Sequence, residues 1–199
     1  MKVIGLTGGV GSGKSLAAKI LAQECGATLL ITDELGHKVM EPGQKGYDSV
    51  VKHFGTDILL PDETIDRKAL AEIVFQNEEE RKALNDMIHP LVMQYIREFI
   101  EGRRREQGVI VLESALLFES GCDAFCDSVW YIRVSKQKRI WRLKQNRHYS
   151  EEKIAGIMAK QMEETEFVQK CDVIIENNET PEQLQDEIRQ KISQADFII

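Results

Sequence analysis

An α/β fold is the class that this sequence predicts: a five-stranded parallel sheet with a helical insertion and a helical lid. Three observations lead there. Five short apolar runs have strand length, at Lys2–Thr7, 27–32, Val109–Glu113, 128–134 and 172–175. Helical patterns separate them, and alternating strands and helices favour βαβ crossovers with helices on both faces of a parallel sheet. One long interval, 34–106, has no convincing strand and reads as helical throughout.

The first run, KVIGLT, is a buried strand that ends in a glycine cluster, and residues 15–23 after it have the composition of a helix. Within the helical interval, Leu84, Met87, Ile88, Leu91, Val92, Tyr95, Ile96, Phe99 and Ile100 recur at three- and four-residue spacing and make one apolar stripe. Pro90 interrupts that stripe. Because proline removes a helical hydrogen bond and restricts the residue before it, a kink or break is expected at His89. Residues 34–106 are therefore an insertion large enough to carry a substrate site, between core segments 1–33 and 107–199. A final amphipathic helix is expected from Pro181 to about Gln194, with proline in its first turn.

Composition narrows the function classes. The chain has 199 residues, enough for one α/β domain with a small insertion. Its 30% charged and 42% hydrophobic residues fit a globular, soluble protein. A net charge of −7 argues against bulk binding to nucleic acid or to a membrane surface, both polyanions. The opening MKVIGLTGG is too quickly broken by glycine for a secretory leader, and no apolar run is long enough to span a membrane. Cys25, Cys122, Cys126 and Cys171 are expected as reduced thiols in a cytoplasmic protein. Neither they nor His37, His53, His89 and His148 show a metal-ligand pattern.

Chemistry concentrates at residues 8–15. GGVGSGKS matches G-x-x-x-x-G-K-[ST] in full and lies between a strand and a helix, where its mechanism requires it. Gly8, Gly9, Gly11 and Gly13 allow successive backbone N–H groups, including those of Ser12 and Leu16, to converge on phosphate oxygens at a helix N-terminus. Lys14 reaches the β- and γ-phosphates, and Ser15 is the expected Mg²⁺ ligand. The fold class thus becomes a P-loop NTPase three-layer sandwich that uses a nucleoside triphosphate with Mg²⁺. DELG, from Asp33 to Gly36, follows the loop too soon for a GTPase switch, and no guanine-reading motif occurs later. Seven cations from Arg133 to Arg147 stand in a window with no acid between Asp127 and Glu151, which suggests a lid at about 135–150 that brings arginines to an anionic transition state. Asp33 ends the second strand, on the edge where open parallel sheets bind ligands. A carboxylate there can accept or orient an acceptor hydroxyl, and it can equally cap a helix. The residues alone imply phosphoryl transfer to a hydroxyl, and they leave a nucleoside- or shikimate-type kinase open.

Taken in order, further segments resemble the dephospho-coenzyme A kinase family. IGLTGGVGSGKS opens the likeness, and 33–37 is similar to the family's D-A-D-x-[IL]-A-[HR] element. IDRKALAEIVF (65–75) resembles its insertion signature, and LNDMIHP (84–90) its L-N-x-[IL]-x-H-P. LLFE (116–119) and CDVIIENN (171–178) resemble its core-strand motifs. The resemblance implies ATP-dependent phosphorylation of the ribose 3′-hydroxyl of dephospho-CoA, with Asp33 as base and Thr7 near it. It implies that Arg67, His89 and Pro90 hold the CoA moiety, that Leu116, Phe118 and Glu119 line the acceptor cleft, and that Asn177 lies near adenine. Arg142 corresponds to the lid arginine, with Arg147 close to a second. A small-molecule substrate and a monomer or weak homo-oligomer are expected, with no nucleic-acid or membrane partner. Departures stand at Ile31 and Thr32, where the family has Asp and Ala, at Glu113 and Ala115, where it has Asp and Pro, and at Asn146, where an arginine is usual. Glu113 ends a hydrophobic strand and can still reach the Mg²⁺ shell through water, as a Walker-B carboxylate does.

Overall fold

A computed structural model describes residues 1–159 and 161–194. In chain order its main elements are β1 (Lys2–Thr7), α1 (Lys14–Cys25), β2 (Thr28–Ile31), α2 (Thr32–Lys38), α3 (Lys45–Phe54), α4 (Arg67–Gln76), α5 (Glu78–Arg103), β3 (Val109–Glu113), β4 (Ser128–Arg133), α6 (Lys136–Arg147), α7 (Glu151–Met158), α8 (Glu164–Lys170), β5 (Val173–Glu176) and α9 (Pro181–Gln194). The chain divides into two compact units, residues 1–31 with 104–199, and residues 32–103.

The first unit is built on one five-stranded sheet of order β2-β3-β1-β4-β5, in which every pair is parallel. β1 is the central strand, and residues 3–7 are buried because the sheet is covered on both faces. Ile4, Leu6, Val109, Val111, Trp130, Ile132 and Ile175 pack with Ala17, Ala18 and Leu21 of α1 and Leu184 and Ile188 of α9. The register sets Glu113 beside both Leu6 and Ile31, so the C-terminal ends of three neighbouring strands lie on one edge. That edge of the sheet is where the β1–α1 loop, with the GGVGSGKS motif, begins.

The second unit is all helical apart from an isolated bridge between Leu59 and Ile65. Val50, Ile58, Ile65 and Leu70 form its core, with Leu84 and Ile88 of the apolar stripe packed against them. Asp66 caps α4, its side chain accepting from the N–H groups of Lys68 and Ala69 at 2.9 and 3.2 Å. Of the kink or break expected at His89, the break is absent: α5 runs for 26 residues with Pro90 inside it. Proline removes one N–H from the ladder, and Val92, Ile96 and Ile100, buried along the following turns, hold the helix together across that gap. Asp33, expected at the end of a core strand, lies in the first turn of α2 in this second unit.

Candidate active site

The β1–α1 loop has the backbone that its glycines allow. Gly11 and Gly13 have φ of 79° and 84°, and Gly13, in the left-handed region, forms the N-cap of α1. No side chain caps this helix, and an uncapped helix N-terminus favours an anion. The Lys14 ammonium is buried and donates to the Gly9 carbonyl at 3.4 Å, which draws the lysine back along the loop. Two buried hydroxyls, Thr7 Oγ1 at the end of β1 and Ser12 Oγ in the loop, have no hydrogen-bond partner. Orphaned polar atoms of this kind mark a place prepared for a polar ligand.

Ser15, the second residue of α1, has its hydroxyl 3.5 Å from Glu113 Oε2. Glu113 is only 6% exposed at the end of β3. A hydroxyl and a carboxylate, both hard oxygen donors, fit Mg²⁺ with Ser15 as direct ligand and Glu113 acting through water. Among the described residues, no group of three or more His, Cys, Asp or Glu side chains has metal-binding geometry. The candidate ion therefore depends on the loop and on phosphate oxygens, the usual manner of Mg²⁺ in phosphoryl transfer.

Two further side chains grip the loop at Ser12. Asn177, buried just after β5, donates from Nδ2 to the Ser12 carbonyl at 2.7 Å. Arg142 in α6 donates to the same carbonyl at 3.3 Å and to the Asn177 carbonyl at 2.9 Å. Burial pushes the Arg142 guanidinium below its ordinary pKa. The structure thus brings together the loop, Glu113, Arg142 and Asn177, whereas Arg147 is exposed at the end of α6. Leu116 and Glu119 are exposed after β3, and Phe118 is partly buried with its ring 6.4 Å from that of Phe167. Arg139 was missed by sequence reading: its Nε donates to the Val10 carbonyl at 2.9 Å. In a run of seven cations nothing distinguishes it, although its place three residues before Arg142 puts both on one helix face.

Within the second unit, Asp33 is exposed in the first turn of α2. His37 lies one turn on, its Nδ1 buried without a partner. Desolvation and the positive charge of Arg67 push its pKa down, against the opposing pull of Asp33 and Glu34. Arg67 is exposed at the start of α4, and His89 is exposed in α5.

Comparison with known proteins agrees with this architecture. The family described as dephospho-CoA kinase matches residues 2–183. A dephospho-CoA kinase of Pseudoalteromonas translucida is 38% identical over 176 residues, 88% of this chain and 82% of that protein. One of Geobacter sulfurreducens is 37% identical over 191 residues, covering 96% of each chain. The solved dephospho-CoA kinase from Campylobacter jejuni superimposes with a TM-score of 0.74 at 28% identity, over 98% of this chain and 97% of that one. A phosphate loop at the edge of a parallel sheet, an inserted helical unit, and a family match across nearly the whole length converge on one conclusion: this chain belongs to the dephospho-CoA kinase family.

Proposed function

We propose that the protein transfers the γ-phosphoryl group of ATP to the ribose 3′-hydroxyl of dephospho-CoA, giving coenzyme A, the last step of its biosynthesis. The observation that carries this reading is the complete phosphate loop at 8–15, with Lys14, Ser15 and buried Glu113 gathered at it, in a chain of this family. Backbone N–H groups of Gly8, Gly9 and Gly11 to Leu16, helped by the α1 N-terminus, hold the phosphates of the nucleotide, while that of Val10 donates to Gln161 Oε1. Lys14 leaves the Gly9 carbonyl to pair with the β- and γ-phosphates. Ser15 and, through water, Glu113 hold Mg²⁺, which when bound neutralises the charge that develops on the phosphates. Thr7, at the end of β1, offers its unpartnered hydroxyl to the reacting groups.

Asp33 orients the acceptor hydroxyl and takes its proton as the new O–P bond forms. It is exposed, so its carboxylate is available to a ligand. Arg67 and His89 of the helical unit bind the CoA moiety, while Leu116, Phe118 and Glu119, after β3, line the acceptor side of the core. Asn177 lies near the adenine, and Arg142 stabilises the charge of the transferring group. The protein works in the cytoplasm on a small molecule, as a monomer or weak homo-oligomer, without a nucleic-acid or membrane partner. No described helix is long and apolar enough to cross a membrane.

A coupled assay with a panel of acceptors tests the reading. ADP release is expected with dephospho-CoA and Mg·ATP, and near silence with AMP, shikimate or no acceptor. Nucleotide hydrolysis that is indifferent to the acceptor would overturn it.

A further inference from the structure

The phosphate loop is held by a second arginine that no step above employs. Arg139 Nε donates to the Val10 carbonyl at 2.9 Å, and one of its terminal nitrogens donates to Gln161 Oε1 at 2.7 Å. That same Gln161 oxygen accepts from the Val10 N–H at 3.0 Å. Val10 is therefore held at both of its backbone polar groups, and the two side chains that hold it are bonded to each other. A Cβ on Gly9 would overlap the Arg139 guanidinium, and one on Gly11 would come within 3.0 Å of the Arg139 carbonyl. The loop thus lacks side chains at the two positions where α6 presses on it.

Charge gives this contact a direction. Both acceptors of the Arg139 guanidinium are neutral, and burial pushes its pKa below the ordinary arginine value. Among the described residues Arg139 has no salt-bridged carboxylate, and the attraction of Tyr131 and Glu164 offsets its desolvation only in part; perturbed charges of this kind concentrate at functional sites. Here the cation abuts the Gly9–Val10 arm of a loop built for a polyanion, the arm whose Gly9 carbonyl also accepts from Lys14. Arg142 and Asn177 brace the other arm at the Ser12 carbonyl. Two arginines one helical turn apart thus hold the two arms of a single loop.

We propose that Arg139 and Gln161 form a clasp of positioning residues for phosphoryl transfer, which uses both backbone polar groups of Val10 to fix the Gly9–Val10 arm, so that the loop amides beside it stand ready for the nucleotide phosphates. The proposal rests on the phosphotransferase reading above. Its physical basis is preorganisation: donors already fixed by the fold need no rearrangement when charge develops on the phosphate. An arginine suits the task because its rigid fork spans the Val10 carbonyl and the Gln161 oxygen together, which the single ammonium of a lysine cannot do.

The experiment compares the wild-type chain with Arg139→Ala, Arg139→Lys, Gln161→Ala and the Arg139→Ala/Gln161→Ala double variant. Mg·ADP affinity is measured by calorimetry, and kcat and both KM values with ATP and dephospho-CoA. Arg139→Ala is expected to weaken Mg·ADP about tenfold and to lower kcat by a similar factor or more. Its KM for dephospho-CoA should stay within about twofold, a split that general loosening of the fold would not give. Arg139→Lys should fail to restore affinity, and the double variant should be no worse than Arg139→Ala, since the pair acts as a unit. Should Arg139→Ala fold poorly, Gln161→Ala alone is expected to weaken Mg·ADP several-fold, because it leaves the Val10 N–H without its acceptor.

Mg·ADP affinity within about twofold of wild type in both single variants would overturn the clasp. So would full additivity of the two losses. A wild-type chain that binds Mg·ADP but phosphorylates no dephospho-CoA would defeat the acceptor assignment instead, and the Mg·ADP titrations would still decide the clasp.

Discussion

Ser15 and Glu113 come from two elements nearly a hundred residues apart in sequence, and the parallel register of β1 and β3 is what brings them together. If Glu113 holds the ion through water, Glu113→Gln keeps the shape and removes the charge. The Mg²⁺ concentration for half-maximal rate should then rise about tenfold or more, with metal-free ADP affinity unchanged. An unaltered Mg²⁺ requirement would place the carboxylate outside the ion's shell. Asp33→Asn tests the acceptor side: kcat should fall by roughly two orders of magnitude, the scale of general-base catalysis, with ATP affinity retained. Equal loss of nucleotide binding would contradict the role assigned to Asp33. The loop glycines, Lys14 and Ser15 were legible in sequence because their spacing is itself the mechanism. Arg139 and Gln161 were not, since their meaning is a contact with Val10 that only the folded chain creates.

At the level of elements, all five strands were legible, with no end differing by more than one residue, because hydrophobic runs buried on both faces leave a clear mark. The C-terminal helix from Pro181 was equally clear. Pro90 was less so: local propensity argues for a break, and packing of the stripe on both sides overrides it. The proposed lid rests on a run of positive charge, but charge alone does not say which face of α6 meets the loop. That face carries Arg142, which reaches the Ser12 and Asn177 carbonyls, whereas Arg147 is exposed. Arg142→Ala should therefore lower kcat at least tenfold, while Arg147→Ala should stay within a few-fold of wild type. The reverse order in steady-state kinetics would assign the lid function to the later residue. In the helical unit, Asp66→Ala removes an acceptor for two N–H groups of α4 and should cost about 1 kcal/mol in denaturant unfolding.

For the molecule as a whole, the cysteines test whether the fold treats its thiols as packing or as chemistry. None of the four forms a disulfide, and burial raises the pKa of each, to about 12 for Cys126 and Cys171. Cys126 is wedged under β1, where its sulfur leaves no space for a side chain on Gly5. At pH 8 an ordinary thiol is roughly a quarter ionised, while a thiol of pKa near 12 is about one part in ten thousand thiolate, and the thiolate is the nucleophile. Reaction with an aromatic disulfide reagent at pH 8 should thus be slow for the native protein and fast for four thiols in denaturant. The same shifts bear on stability. A pKa raised by folding means that the folded chain keeps its protons longer than the unfolded one, so this contribution is intact below the unfolded thiol value and fades as pH climbs toward 12. Tyr131, raised to about 12 by burial and stacked 4.7 Å from Phe167, adds to the same alkaline slope. The thermal midpoint should accordingly fall steadily above about pH 9, and Cys126→Ala, whatever its baseline, should show a shallower fall. A fast-reacting thiol in the native chain, or a midpoint level from pH 8 to 10.5, would mean that these groups meet solvent and that the sheet is covered less tightly than its burial implies.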